Sequence, residues 1–428
     1  MTFSAVKAAK FVANIGFVLL FPGFLLYHLS LAALSLPPFL GGMYGITSAV
    51  LVIPLGLLFF KLLRRLLRSS PLYVTITVMF FIYVLGWTAI HFFIIDAFYI
   101  ETATIQAIES LVLWLALFFI GVYFDLNSPW ISKIFWAVFI YLLVFLAYYV
   151  IQSGNLMFYA RQLYGVEYVT TYQGFARSML VVSLFLLARP LSSLMRFCLI
   201  LGSMFILFVI GARSEFYGFI LLLFVLLPTL SVHNWKYGLL ITVSVIILAI
   251  ILSSNYEYLV HSRQFAILNL QSDSSYQARK MLETIAINQI TKNPLIGCFG
   301  GHIAEAGSAG SYAHNLLSSW VSFGLMGFLF YIAISIVPAI HSFIHFLKKG
   351  DKDPLWMFSF EINFVCFILI LAAKSVFWPL PALGWGVYLQ AQLQRKFARK
   401  CNDRRRHSAL KGNTINKTRP SLDTNPSR

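Results

Sequence analysis

The sequence predicts an all-α, polytopic integral membrane protein of about twelve transmembrane helices, with one long loop between the ninth and tenth. Three observations lead there. Of 428 residues, 59% are hydrophobic and 11% charged, with 41 Phe and 21 Tyr, a balance that water-soluble domains of this size do not show. The apolar residues fall into runs of roughly 20, long enough to cross about 30 Å of hydrocarbon. Lys and Arg gather in short connections between alternate runs, the pattern of cytoplasmic loops.

In chain order the runs lie at approximately 11–35, 42–61, 72–95, 104–123, 133–152, 171–188, 193–212, 214–232, 237–253, 318–340, 355–373 and 377–393. The first exceeds a signal-peptide core and lacks a small-residue cleavage site, so a retained span is expected. The short GARSE segment implies a tight hairpin between the seventh and eighth. Basic residues mark Lys61 to Arg68, Arg189 to Arg196, His345 to Lys352 and the tail after the last span. All four fall on one side, which places both termini of the multi-pass chain in the cytoplasm. The acidic connection holding Asp96 and Glu101 falls on the other side.

Residues 1–393 form the expected transmembrane domain, and 394–428 a disordered basic tail. From Arg395 onward the chain carries 11 basic and 2 acidic residues, +9 of a total charge of +17. Such a tail beside a span reads as an anchor on anionic membrane lipids, and without interleaved aromatics it gives no sign of nucleic-acid binding. The four cysteines show no CxxC or metal-ligand spacing.

Two outer loops are substantial: Gln152 to Thr170, which holds Arg161, and the long loop at about 253–318. Within the latter, Ser274 and Ser275 are candidate N-caps. Met281, Leu282, Ile285, Ile287 and Ile290 give an apolar periodicity, and Asn293-Pro294 a stop. An interfacial amphipathic helix is expected, with Arg279 and Glu283 one turn apart on its polar side.

Ionisable groups near the membrane require a partner or a task. Arg177, Arg213, Glu215 and Lys374 fall at outer span ends, and Arg279 and His314 in the long loop. Together they suggest a cationic pocket for an anionic ligand. Structural alternatives stand beside this: snorkelling for Arg177, an Arg213–Glu215 salt bridge, an interface anchor at Lys374, and an interfacial or capping histidine at His314. His302 is a second loop histidine that lines the site on this reading.

Several motifs recur in a recognisable order: Gly211 to Arg213 at the outer end of a middle span, Arg279 opening the loop helix, and Pro294-Leu295-Ile296-Gly297 as a turn. His314-Asn315 then precedes an apolar helix with Gly324 and Gly327. The order resembles that of the O-antigen polymerase and O-antigen ligase superfamily, integral membrane enzymes that move lipid-linked glycans. It covers about Thr171 to Gly327; the first five spans match only as apolar helices, and Ser322 stands where relatives often carry an acidic residue.

The resemblance implies a bacterial inner-membrane location and a cofactor-free, metal-independent inverting glycosyl transfer on the periplasmic face. The donor would be an undecaprenyl-pyrophosphate-linked glycan. Arg213 and Arg279 would meet the pyrophosphate, and His314 would take the acceptor's proton. Arg177, Asn315, Tyr276, Tyr312, His302 and Glu215 are the expected substrate contacts. The acceptor is another glycan repeat in a polymerase, or lipid A-core in a ligase, and a chain-length regulator is a further candidate partner. The Gln152 to Thr170 loop and Arg177 favour the polymerase. A transporter or flippase for an anionic or lipid-linked solute is the reading from another class; it expects mid-membrane charge and two similar halves, and the charges here lie at the outer edge.

Overall fold

The computed structural model describes residues 3–34, 36–37, 39, 43–158, 172–239, 242, 264–265 and 273–397. Within them the chain is helical, with no strand. Nine of the described helices are long and apolar enough to cross a membrane, the mark of a polytopic membrane protein. The predicted ninth span, most of the Gln152 to Thr170 loop, most of 253–272 and the tail from 398 lie outside the described residues.

The first span is made of α1 (Phe3–Val18) and α2 (Phe24–Leu34), joined by a π-helical turn at Leu19–Gly23 that contains Pro22. Proline has no N–H to give an α-turn, and the wider turn carries the chain past it. Next come α3 (Tyr44–Ser69), α4 (Pro71–Ile94), α5 (Ile100–Tyr123) and α6 (Pro129–Ser153). These are followed by α7 (Tyr172–Leu187), α8 (Ser193–Ile210) and α9 (Arg213–His233). The long loop supplies α10 (Ser274–Lys292) and the one-and-a-half-turn α11 (Gly301–Ala306). The chain then crosses as α12 (Leu317–Lys349), α13 (Pro354–Ala372) and α14 (380–397).

Aromatic packing sets the centre. The Phe17 ring on α1 lies 4.9 Å from Phe124, 5.1 Å from Phe135 on α6 and 5.6 Å from Phe185 on α7, within the range for favourable ring pairs. The α14 helix is not among those nine, yet it is deeply enclosed: Leu380, Leu383, Trp385, Val387 and Leu389 are all buried. Its polar groups are met by other helices. Gln390 donates to the Phe124 carbonyl at 2.6 Å, and Asn363 of α13 donates to the Gly384 carbonyl at 2.9 Å.

The basic connections meet at one end of the bundle. Arg196 pairs with Asp351 at 2.9 Å and donates to the Arg189 carbonyl, Lys396 donates to the Arg68 carbonyl, and Arg395 lies over the Trp356 ring. The turn between α8 and α9, α10 and the last residues of α13 occupy the opposite end.

At that opposite end α12 is broken. Gly324 has φ 66° and ψ −178°, a conformation essentially confined to glycine. The break brings 320–325 against 294–298. Cys298 N donates to Val321 O at 2.7 Å, Leu325 N to Leu295 O at 3.0 Å, and the Trp320 indole to Pro294 O at 2.7 Å. Two further freed carbonyls are taken by α4: Tyr83 OH donates to Phe323 O at 2.9 Å and Trp87 Nε1 to Ser322 O at 3.2 Å. Gly297, also at positive φ, lies directly beneath the Trp320 and Val321 carbonyls. The Pro-Leu-Ile-Gly turn and the glycine of the apolar helix are thus two halves of one crossing.

A Cβ at 324 would stand 2.7 Å from Leu295 O and 2.8 Å from Ile296 O. Gly324→Ala is therefore expected to lower stability by roughly 3 kcal/mol through strain alone. Gly86→Ala on α4, where an added Cβ meets nothing within 4 Å, should stabilise by up to about 1 kcal/mol. Thermal unfolding of the two variants in detergent checks the difference.

Candidate functional site

Only Gly211 and Ala212 separate α8 from α9, so Arg213 opens α9 at the end of the bundle that holds α10. Its guanidinium meets Asp273 with both arms: Nη1 pairs with Oδ2, and Nη2 donates to Oδ1 at 3.2 Å. The same carboxylate accepts from Ser275 N at 3.1 Å and so caps α10. The arginine and the backbone donors hold the Asp273 carboxyl below the usual carboxylate range, although burial opposes them. One side chain therefore fixes both where α10 starts and how Arg213 points. The cap is Asp273, not the Ser274 or Ser275 that the sequence suggested.

The face that α10 turns inward differs from expectation. Met281 and Ile287 are exposed, at 60% and 47%, whereas Arg279 and Glu283 are half-buried against the bundle. Glu283 accepts from the Asn315 side chain at 2.8 Å. Asn315 in turn accepts from Leu317 N at 3.1 Å, and its carbonyl takes Ser318 Oγ at 2.7 Å. Ser318 Oγ also accepts from Val376 N at 2.7 Å. The chain of contacts ties α10, the start of α12 and the 373–379 segment together around His314.

These elements enclose a cavity of about 470 Å³, within the range of small-ligand sites. Arg213, Arg279, Tyr276, His314 and Asn315 line its polar side, with Asp273, Ser275 and Glu283. Ile368, Leu369 and Leu371 of α13 and Leu221 of α9 line the other. Leu221 and Leu371 are over 40% exposed on the outer surface of the bundle. The cavity is thus charged within and apolar where it meets the surface.

Its cations are not equivalent. Arg213 is neutralised by Asp273. Lys374 is buried and pairs with the fully buried Glu215 at 2.6 Å, beneath Trp378. Glu215 also accepts from Ser214 Oγ at 2.7 Å. The Arg213–Glu215 bridge considered from the sequence is replaced by these two crossed pairs, and Lys374 is a buried partner and no interface anchor. Of the remaining cavity cations Lys280 is exposed, whereas Arg279 is half-buried and has no hydrogen bond or ion pair among the described residues. Burial and the nearby Arg213 charge lower its proton affinity and outweigh the opposing pull of Tyr172, Glu215 and Asp273, so the cavity holds a guanidinium with no paired carboxylate among the described residues, beside a like charge.

His314 sits at the cavity wall with its ring 5.3 Å from Tyr312 and no hydrogen bond among the described residues. Burial, then Arg279 and Lys374, push its pKa down to about 4, leaving it neutral at pH 7 with an available lone pair. His302 is separate. It lines a narrow cleft behind Tyr312, and its Nε2 lies 3.0 Å from Gln106 Oε1. Because the Gln106 amide nitrogen donates to Ala309 O at 2.7 Å, its oxygen is the acceptor and His302 carries its proton on Nε2. Burial holds that ring neutral as well, with a pKa of about 4.

Of the nine residues named from sequence, five line the cavity, Glu215 supports it from beneath, and Tyr312 joins His314 to His302 outside it. Arg177 is not among the lining residues: its guanidinium lies 4.1 Å over the Tyr44 ring and 5.6 Å from Phe24, a cation–π setting on α2 and α3. Asp96 and Glu101 are exposed away from the cavity. Sequence reasoning missed Asp273 and Gln106, and it named Lys374 without its pairing to Glu215. Only Asp273 carried a local signal, as an N-cap type directly before a helical run. No protein-family model and no curated protein matches this chain.

Lys374→Met leaves the Glu215 carboxylate buried and uncompensated, at an expected cost of about 3–5 kcal/mol. Adding Glu215→Gln should recover most of that loss. Equilibrium unfolding of both singles and the double variant measures the coupling.

Proposed function

We propose that the protein is a glycosyltransferase of the O-antigen polymerase type, joining lipid-linked oligosaccharide repeats at the cavity. The observation that carries this reading is Arg279: a half-buried guanidinium with no ion pair or hydrogen bond among the described residues, facing a cavity that already holds Arg213 and a neutral histidine. A diphosphate ester supplies the missing negative charge and the paired oxygens that a guanidinium fork fits. The apolar flank at Leu221 and Leu371 suits a polyprenyl chain lying along the membrane, with its diphosphate turned inward.

The step is a single displacement. The acceptor hydroxyl oxygen attacks the anomeric carbon and forms the new glycosidic bond. The bond from that carbon to the diphosphate oxygen breaks, and its electron pair leaves on the diphosphate beside Arg279 and Arg213. The hydroxyl proton passes to the free ring nitrogen of His314. The diphosphate also offsets the cationic field of Arg279 and Lys374, which strengthens His314 as a base only when the donor is bound. Attack opposite the leaving group inverts the configuration.

His314→Ala is expected to lower turnover by roughly 10²–10⁴-fold. Arg279→Lys should recover little of the loss in Arg279→Ala, since an ammonium lacks the fork. Each variant is introduced into strains of the source lacking either the polymerase or the ligase, at matched membrane levels, and the lipopolysaccharide ladder is read on a gel. Wild-type rescue of the polymerase-null strain alone, abolished by these substitutions, supports the proposal. Rescue of the ligase-null strain alone makes the protein a ligase using the same residues. Full activity in His314→Ala and Arg279→Ala overturns the site.

A pH profile gives a second check. The acidic limb of kcat/KM for the free enzyme should fall near pH 4, where His314 protonates, and not near 6.5. A limb at 6.5 that persists in His314→Gln would assign the titration to another group.

A further inference from the structure

The end of the bundle opposite the catalytic cavity holds a second recess, of about 330 Å³, between α3 and α14. Arg65, Arg68, Ser69, Leu393, Lys396 and Phe397 line it, with no acidic side chain. The two guanidinium groups come from positions one helical turn apart on α3 and face the same side. Neither has a hydrogen bond or ion pair among the described residues, and the Lys396 ammonium is held in place by the Arg68 carbonyl. Three cations are thus gathered around one space, although the nearby basic residue Arg196 has an acidic partner in Asp351.

What lies beside the recess is as informative as its charge. Along α3, Val50, Ile53, Leu57 and Phe60 are 64%, 68%, 64% and 72% exposed. At 100° per residue they form one stripe, and Arg68 stands at its end on the same face. The floor of the recess is apolar, formed by Leu393 and Phe397. A soluble anion would use the cations and leave the stripe unused. An amphiphile with a phosphate head uses both: phosphate oxygens on Arg65, Arg68 and Lys396, a hydrogen bond from Ser69, and acyl chains along Phe60, Leu57 and Ile53.

We propose that this recess is a binding site for the headgroup of an anionic glycerophospholipid of the membrane leaflet at the basic end of the bundle. It is independent of the glycosyl-transfer reading, because it shares no residue with that cavity. The lipid bridges the end of α3 to the end of α14. Since α14 is largely buried up to Ala391, occupation ties a buried helix to the exposed end of α3 at this face.

Native mass spectrometry of the full-length protein in detergent, titrated with cardiolipin, phosphatidylglycerol or phosphatidylcholine, tests this. Anionic lipids are expected to stay bound at activation energies that strip phosphatidylcholine. The Arg65→Gln/Arg68→Gln/Lys396→Gln variant should bind them on the order of 100-fold more weakly, from about 1 kcal/mol for each cation. A control, Lys348→Gln/Lys349→Gln, removes exposed charge from the same end but not from the recess and should bind as wild type. Equal losses in the two variants mean diffuse attraction and overturn the site, as does equal retention of phosphatidylcholine. Glycerol phosphate competing as well as the intact lipids would show a soluble-phosphate site, which also overturns the proposal. All the substituted side chains are exposed or half-exposed, and an unchanged melting temperature in lipid-free detergent verifies that the variants fold.

Discussion

Everything at the charged end of the bundle depends on a backbone problem. Where a membrane helix stops being helical, its carbonyl and amide groups lose their partners in a medium that offers no replacement. At Gly324 the solution is complete: Val321 O, Phe323 O, Ser322 O and Leu325 N are met by Cys298 N, Tyr83 OH, the Trp87 indole and Leu295 O. The crossing has no room for a side chain at either glycine. It pins the loop at 294–298 to α12, and because α10 ends at Lys292, it also fixes the far end of the helix that carries Arg279. The near end is fixed by Asp273. A helix held at both ends, with only Ala286 and Ile290 packed in a small apolar cluster against Ala313 and Val321, presents Arg279 and Glu283 inward and can keep Met281 and Ile287 on its outward face.

The charges follow a second rule. A carboxylate is assigned to every cation that the structure needs to hold still, as Asp273 is to Arg213 and Glu215 to Lys374. Carboxylates beside both arginines would close the site to anions, since a ligand would first have to displace a bidentate partner. Leaving Arg279 without a paired carboxylate among the described residues costs folding free energy, but it leaves a position where a ligand can complete the pairing. That division between structural and available charge is the physical basis of the proposed diphosphate site.

Much of the architecture was legible in the sequence because lipid imposes it directly. Spans such as Pro71–Ile94 and Pro129–Ser153 must be long and apolar, so hydropathy finds them. The burial of α14 was not legible. Its glutamines and lower hydropathy argue for the periphery, and only the partners waiting at the Phe124 carbonyl and on Asn363 reverse that. The site divides in the same way. Arg213, Arg279 and His314 stood out as charged or titratable groups beside turn-forming residues. Lys374 stood out too, but its role did not, because that lies in Glu215, which reaches it from another span. Arg279 and Glu283 were placed on the wrong face because periodicity was read against an assumed membrane surface, whereas polar tertiary contacts decide the rotation of α10. Arg177 was read as a ligand contact on its depth alone, and the Tyr44 ring gives it a structural setting instead.

The low proton affinity of His314 would be a weakness in a resting base, yet it fits the proposed reaction. Two of the causes of its shift, Arg279 and Lys374, are cations, and Arg279 is the group the proposed donor neutralises. Before binding, the imidazole stays unprotonated and cannot form an ion pair with a stray anion. Once a diphosphate rests on Arg279, the same field is reduced and the ring gains basicity just where the acceptor hydroxyl must lose its proton. Donor binding and base strength are then coupled through one guanidinium. This coupling needs no conformational change, only that the cavity's unpaired charge and its histidine share a wall.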